Sequence, residues 1–347
     1  MSKKNGVFII VLLLMLMIFC AKDEQTNNGI NIPQAGGHEY LSEYNFFEGD
    51  IANMSPVDGI LPYDLNMPLF SDYALKKRFI YVPDGSAASF DTSGVFDFPM
   101  GSVLIKHFYY ENNDGSFNAV ETRLLIHQAG GWQPYTYEWN QEGTEASKTV
   151  LGAVKSMDVT VDGLNHSFNY SIPNTNQCKN CHAFNGATLP IGPVAQNLNK
   201  DYSYTEGTSN QIEKWMSEGI ISSGSISNLN AWPSMENNSA SIESRARAYL
   251  SVNCSSCHRL EGSAANSGLY LEYHNQDSLS LGFFKTPVAA GSGSGGLEHV
   301  IEPGSAEQSI LYYRINSDEV EVRMPELGRE LLHQEGIDLI KEWIDNM

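Results

Sequence analysis

Ser102-Val103-Leu104-Ile105-Lys106-His107-Phe108-Tyr109-Tyr110-Glu111, then Asn112-Asn113-Asp114-Gly115, then Ala119 to Gln128, is the stretch that decides the first half of the fold. Both arms are dense in β-branched and aromatic residues, and the four residues between them are turn formers. Gly130-Gly131 breaks the second arm and Trp132 to Trp139 returns, so two antiparallel hairpins are predicted. Met157 to Val161 and Ser167 to Ile172, with Asp162-Gly163 between them, extend the series to an antiparallel sheet of five or more strands. Past Pro173 the period changes. Ile212, Trp215 and Met216 recur at helical spacing in Gln211 to Gly219, as do Ile242, Ala246, Tyr249 and Leu250. A terminal helix is expected from about Gln334 to Asn346, with Ile337, Ile340, Trp343 and Ile344 on one stripe.

The chain has 347 residues, 41% of them hydrophobic and 11% aromatic, which is enough to build a core and excludes wholesale disorder. Forty-one acidic residues against 21 basic ones give a formal charge of −20. Nucleic acid is therefore not an expected partner, because capture of a phosphate backbone needs clustered Lys and Arg.

Lys3 and Lys4 precede the uninterrupted apolar run Val7 to Phe19, too short to cross a hydrocarbon core of about 30 Å but suited to a signal peptide over residues 1–19. Met17-Ile18-Phe19-Cys20 resembles a bacterial lipoprotein box, so lipidation at Cys20 is expected. Residues 20–39 read as a lipidated tether, and Ala21-Lys22-Asp23-Glu24 resembles an acidic sorting tag of surface-exposed lipoproteins. The expectation is an exported chain, periplasmic or on the outer membrane, held to the membrane through its N-terminal lipid. Removal of residues 1–19 leaves a charge of −22.

Cys178-Lys179-Asn180-Cys181-His182 and Cys254-Ser255-Ser256-Cys257-His258 are two copies of C-x-x-C-H, the attachment signature of c-type haem. Thiols three residues apart share one face of a helical turn and can add to the two vinyl groups of one porphyrin, and the next residue brings an imidazole under the iron. A zinc site of four cysteines, two short-loop disulfides or redox dithiols would use the thiols but leave both histidines without a role. Two covalently attached haem c groups are thus expected, with His182 and His258 as proximal ligands. Met324, in Arg323-Met324-Pro325-Glu326, supplies a soft thioether and is the expected distal ligand of the second haem. For the first haem Met235 is the favoured candidate, ahead of Met216, His107, His127 and His166, and a five-coordinate iron is the alternative.

Residues 240–347 run helix, C-x-x-C-H, long loops, Met-Pro, helix, which resembles a class I cytochrome c domain. The fold expected is therefore multidomain α+β: an antiparallel β-rich domain over 40–173, a first haem-binding segment over 174–238, and an all-α class I cytochrome c-like domain over 239–347. Leu65-Asn66-Met67-Pro68-Leu69-Phe70-Ser71-Asp72-Tyr73-Ala74, Glu121-Thr122-Arg123-Leu124-Leu125, Pro190-Ile191-Gly192-Pro193 and the two haem motifs together resemble a family of exported bacterial di-haem c-type cytochromes of uncharacterised role. That resemblance covers nearly the whole mature chain. It implies haem attachment at Cys178, Cys181, Cys254 and Cys257, with His182 and His258 proximal. More remotely, a sheet feeding a C-x-x-C-H resembles hydroxylamine-oxidising cytochromes with a haem crosslinked to lysine, for which Lys106 would be the residue; an edge or solvent-facing lysine is the ordinary alternative.

The function expected is electron transfer in the cell envelope, the alternative being a haem enzyme with an open site at the first haem acting on a small oxygen or nitrogen species or peroxide. Residues 301–347 carry eleven acids against four bases, a face suited to steering a basic redox partner protein.

Overall fold

The computed structural model describes residues 29–347 apart from Ser93, Asn113, Asp162 and Ala289; the expected signal peptide and Cys20 lie outside the described residues. A six-stranded antiparallel meander forms the centre: β1 (Ile60–Tyr63), β2 (Leu75–Tyr81), β3 (Val103–Glu111), β4 (Phe117–Gln128), β5 (Gly131–Trp139) and β6 (Ala146–Thr149), paired in that order. The predicted hairpins are β3–β4 and β4–β5, in register with Lys106 opposite Arg123 and Arg123 opposite Thr136. β7 (Ala153–Val161) and β8 (Leu164–Ile172) do not extend this sheet. They pair only with each other and pack through Met157, Val159, Tyr170 and Ile172 on Phe108, Tyr110 and Val120.

Because side chains alternate across a strand, the two faces of the meander have different fates. One face, with Phe79, Val103, Ile105, Leu124, Ile126 and Tyr137, is covered by Ile30, Leu41, Tyr44, Phe46 and Met54. The tether expected over 20–39 is therefore not free along its described part. Ile30 is buried, Gln128 Nε2 donates to the carbonyls of Pro33 and Gly36 at 2.7 and 2.8 Å, and Lys148 Nζ donates to Gly37 O at 2.6 Å. Polar composition concealed these anchors because they run through backbone carbonyls.

The other face carries two apolar clusters separated by charge. Leu104, Leu125, Ile80 and Val82 join Trp215 and Ile212 at one end, and Phe108 and Val120 belong to the second cluster at the other. Between them lie Arg78, Lys106 and Arg123, neighbours across β2, β3 and β4.

After the sheet come helices α1 (Thr175–His182), α2 (Ala195–Leu198) and α3 (Gln211–Ser217), two small hairpins, β9 (Ala183–Phe184) with β10 (Ala187–Thr188) and β11 (Asp201–Tyr204) with β12 (Gly207–Asn210), and then α4 (Ile242–Asn253), α5 (Ile310–Ile315) and α6 (Gln334–Asp345). The expected all-α class I cytochrome c-like domain over 239–347 is not what forms. This part holds helices of only 12, 6 and 12 residues, separated by long loops and single 3-10 turns, and the protein as a whole is β-rich. The stretch between α4 and α5 is rich in Gly, Ser, Asn and Pro, which favour turns over helix. Within it α4 and α6 do meet: Ala246, Tyr249 and Leu250 share a core with Ile337, Ile340, Trp343 and Ile344. Trp343 Nε1 donates to Glu243, and Gly336 lets the α6 backbone approach the Tyr249 ring where a methyl group would collide.

Leu65–Ala74 ties these cores together. Leu65 belongs to the Trp215 cluster, Met67 to the α4–α6 core and Ala74 to the cluster under β7–β8. Phe70 N donates to Asn253 Oδ1 at 2.9 Å, and its ring stacks on His333 at 4.1 Å. Asp72 is buried, and its Oδ1 accepts from the backbone of Glu330 at 2.6 Å and Leu331 at 2.7 Å. One carboxylate thus fixes the loop that follows Met324 against the sheet.

Asp72→Ala strands both of those N–H groups and is expected to cost about 3 kcal/mol, at about 1–3 kcal/mol for each unsatisfied buried group. Asp72→Asn keeps one acceptor oxygen and tolerates the left-handed φ of +50° at this position, so its loss should be the smaller. Urea unfolding of both variants checks the order. A second expectation concerns His107, buried in the sheet with Nδ1 2.9 Å from Thr122 Oγ1 and its value pushed down to about 3 by burial, with Lys77 adding to the effect. An unfolded chain protonates this ring near 6.5 while the folded one refuses the proton until about 3, so stability falls as pH drops through that window. His107→Phe should flatten part of that decline in denaturation midpoints measured from pH 7 to 3; an unchanged slope would contradict it.

Candidate functional site

The first motif owes its geometry to local capping. Asn174 Oδ1 accepts from Gln177 N and the Gln177 side chain accepts from Asn174 N, both at 2.9 Å, which starts α1 one turn before Cys178. Cys178 and Cys181 then stand three residues apart on this helix, and His182 closes it. The β9–β10 hairpin turns the chain back so that Leu189 N donates to His182 O at 2.9 Å and Leu189 O lies 2.7 Å from His182 Nδ1. With Nδ1–H given to that carbonyl, Nε2 keeps its lone pair. This is the arrangement that orients a metal-binding imidazole. Burial is the main cause that pushes His182 down to about 4, and Lys106, Arg123 and Arg259 add to it, so the ring is neutral at pH 7.

The second motif follows α4, whose N-cap Ser241 accepts from Ser244 N. Cys254 is pushed up to about 12 by burial, with the neighbouring Cys257 thiol adding to it. His258 is pushed down to about 4, chiefly by burial and then by Arg314, and its Nδ1 lies 3.4 Å from Ser267 Oγ.

Although 76 residues separate their first cysteines, the two motifs meet. Cys257 Sγ lies 3.6 Å from Asn180 O, and the Arg259 guanidinium sits 4.6 Å over the Phe184 ring. The Cys181 and Cys257 thiols act on each other, which pulls Cys257 down to about 6 and pushes Cys181 up. All four thiols are free of disulfides. Cys178, Cys181, His182, Cys254 and Cys257 line one cavity of about 440 Å³ enclosed by the sheet, the motifs and the loop after α5.

Met324 also lines this cavity, half-buried against the α4–α6 core. Its N–H donates to Arg314 O at 3.0 Å and its carbonyl accepts from Arg329 Nε at 3.1 Å. His258 is not among the cavity-lining residues, yet Arg314, which holds Met324 by its carbonyl, is also the cation acting on His258. Met235 is not brought to the cavity: it packs against the α4–α6 core, and its carbonyl accepts from Arg245 at 3.1 Å. Met216 packs against the Trp215 cluster. His107 is tied up with Thr122, His127 Nδ1 lies 2.8 Å from Phe98 O with its ring stacked on Trp132, and His166 faces Tyr73. None of these three lines the cavity.

Sequence reasoning missed Arg78, Arg123 and His333 as groups of the opposite wall, and weighed Lys106 there only as a remote crosslink candidate. Arg78, Lys106, Arg123 and His333 all line the cavity. Lys106 lies on a central strand, neither edge nor solvent-facing, and its Nζ sits 4.9 Å over the Phe108 ring. Burial drives its ammonium well below the ordinary value, with Arg78, Arg123 and Lys76 adding to it. His333, stacked on Phe70 and 3.1 Å from Tyr249 OH, is pushed down to about 4, chiefly by burial. The available signal was period-2 alternation, which places Lys106 on the same face as Leu104 and Phe108.

These residues fit a covalently held porphyrin. Free thiols stand in helical register, a neutral imidazole has its second nitrogen already engaged, and buried Arg78 keeps Nη2 without a hydrogen-bond partner beside the cavity. Among the described residues no three His, Cys, Asp or Glu side chains converge as a metal-binding group, so the cysteines do not form the four-thiolate arrangement a zinc ion would use. No family model, curated protein or solved structure matches the chain.

Proposed function

We propose that the chain is a di-haem c-type cytochrome that transfers electrons in the bacterial cell envelope. The observation that carries this reading is that both C-x-x-C-H motifs meet at one cavity while the Nδ1 of His182 is engaged by Leu189 O. Cys178 and Cys181 would hold one haem and Cys254 and Cys257 the other, with His182 and His258 as proximal ligands. Bound haem supplies a one-electron iron couple. The chain's own residues do the rest. Burial keeps both imidazoles neutral and able to bind metal, and the Leu189 carbonyl fixes the ring plane of His182. Met324 offers a soft, uncharged donor that favours the reduced metal, and its loop is held by Arg314, Arg329 and Asp72. The α4–α6 core excludes water from one side of the site.

The N-terminal leader and Cys20 suit an exported, lipid-anchored protein, and the acidic stretch 301–347 suits a basic redox partner. A second reading is favoured by two observations: Met235 stands away from the cavity, and the wall facing the first motif is cationic. In that reading the first haem keeps an open position and acts on a small oxygen or nitrogen species or peroxide.

Protein matured in cells with intact haem-ligation machinery is expected to exceed its polypeptide mass by two haems. Its ferric spectrum should carry a weak sulfur-to-iron band at long wavelength that Met324→Ala removes, together with a fall in the potential of one haem. Persistence of the band means another thioether is bound, and an unmodified polypeptide mass overturns the reading. Carbon monoxide uptake by the reduced protein would favour the enzyme reading over pure electron transfer.

A further inference from the structure

The cationic wall of the cavity is unexplained by electron transfer alone. Arg78, Lys106, Arg123 and Thr136 are successive partners across β2, β3, β4 and β5, so they form a straight row on one face of the sheet. Neighbouring strands stand about 4.8 Å apart, which puts Arg78 about 14 Å from Thr136. The row is not evenly neutralised. Arg123 is held by Glu121 through a two-point contact, with Nε to Oε2 at 2.8 Å. Arg78 gives only Nη1 to Asp64, at 2.9 Å, and its Nη2 is buried with no partner although the side chain is 4% exposed. None of the ion pairs among the described residues includes Lys106.

The first motif sits at the Thr136 end, where α1 packs against β5 and Thr136 and Arg123 both act on the Cys178 thiol. A porphyrin attached there through its vinyl-derived edge would carry its two carboxylates on the opposite edge, which, with the ring lying over the sheet, would reach toward the Arg78 end of the row. We propose that Arg78 and Lys106 form the seat for the propionate carboxylates of the haem held by Cys178 and Cys181. Carboxylates at that end would partner the free Arg78 Nη2 and give Lys106 a counter-charge, removing both buried imbalances. The inference rests on the haem reading above and assigns these two residues as positioning residues for the first haem.

Resonance Raman spectra and redox titrations of haem-replete wild-type, Lys106→Met, Lys106→Arg and Arg78→Gln protein, each first checked by mass for two haems, test it. Loss of either cation should move the propionate-bending band to lower frequency. It should also shift the ferric-to-ferrous ratio of one haem about tenfold toward ferric at fixed potential, a fall of about 59 mV for a one-electron couple. Lys106→Arg should restore both readouts. Since Arg78→Gln also breaks the pair with Asp64, Lys106→Met, which breaks no ion pair, decides if that variant fails to fold. Two haems by mass with unchanged band and potential in Lys106→Met overturn the seat and leave the haem reading standing. Absence of haem from wild type overturns the haem reading itself.

Discussion

A cation taken out of water without a counter-charge costs several kcal/mol, and this fold keeps three basic residues in a row on the inner face of its central sheet. Arg78 is paired with Asp64 and Arg123 with Glu121, and Lys106 is in none of the ion pairs among the described residues. That constraint organises the molecule. Apolar clusters occupy both ends of the same face, around Trp215 at one end and under the β7–β8 hairpin at the other, and either could have been continued across the middle by replacing Arg78, Lys106 and Arg123 with Leu or Val. The strand register instead keeps charge where the two C-x-x-C-H motifs close over the sheet. The space between them is therefore a site with stated chemical needs: thiols and a neutral imidazole on one wall, cations on the other, a thioether at the rim.

The parts that must face one another across this space are far apart in sequence, and short polar contacts bring them together. Leu65–Ala74 reaches three cores within ten residues, and Asp72 within it grips the backbone that leads away from Met324. Arg329 grips the same loop from the other side through the carbonyls of Met324 and Ser317. A methionine on a loop is a poor fixed ligand unless its backbone is held, and here it is held by one buried carboxylate and one buried guanidinium. The placement of Met324 is thus a property of the sheet domain as much as of the segment in which it lies.

How much of this was legible follows from the range of each signal. The hairpins from 102 to 139 were legible because turn residues and alternation are local, and the cysteine spacing was legible because it reports a helical turn. The separation of β7–β8 from the main sheet was not, since pairing partners depend on packing that no local pattern encodes. Residues 240–347 suggested an all-α domain from two good helices at their ends, but the loops between them dominate, and spacing between motifs carries no information about what fills the gap. Sequence assigned Met324 to the second haem and offered Met235 only as the first of several candidates for the other; the fold shows Met324 lining the cavity and Met235 turned into the α4–α6 core. Arg78 and Arg123 are the instructive miss, and Lys106, singled out only through a remote resemblance, was not seen as part of a row with them. Each is an unremarkable basic residue on a strand until register sets them side by side on a buried face.

The contact between the motifs has its own consequence. On the haem reading, two redox groups would be anchored at Cys181 and Cys257, thiols that act on each other, and Asn180 touches Cys257 while Phe184 touches Arg259. Electron exchange falls off steeply with distance, so groups anchored this close would exchange electrons without any domain movement. Proximity also couples their charges: in a partly enclosed cavity an electron on one group disfavours the next on its neighbour, because the effective dielectric is lower than that of water. A fixed, charged wall along the first motif, with a thioether at the rim, is one physical means of separating the two potentials. On the haem reading, this asymmetry would favour a directed pair over two equivalent carriers.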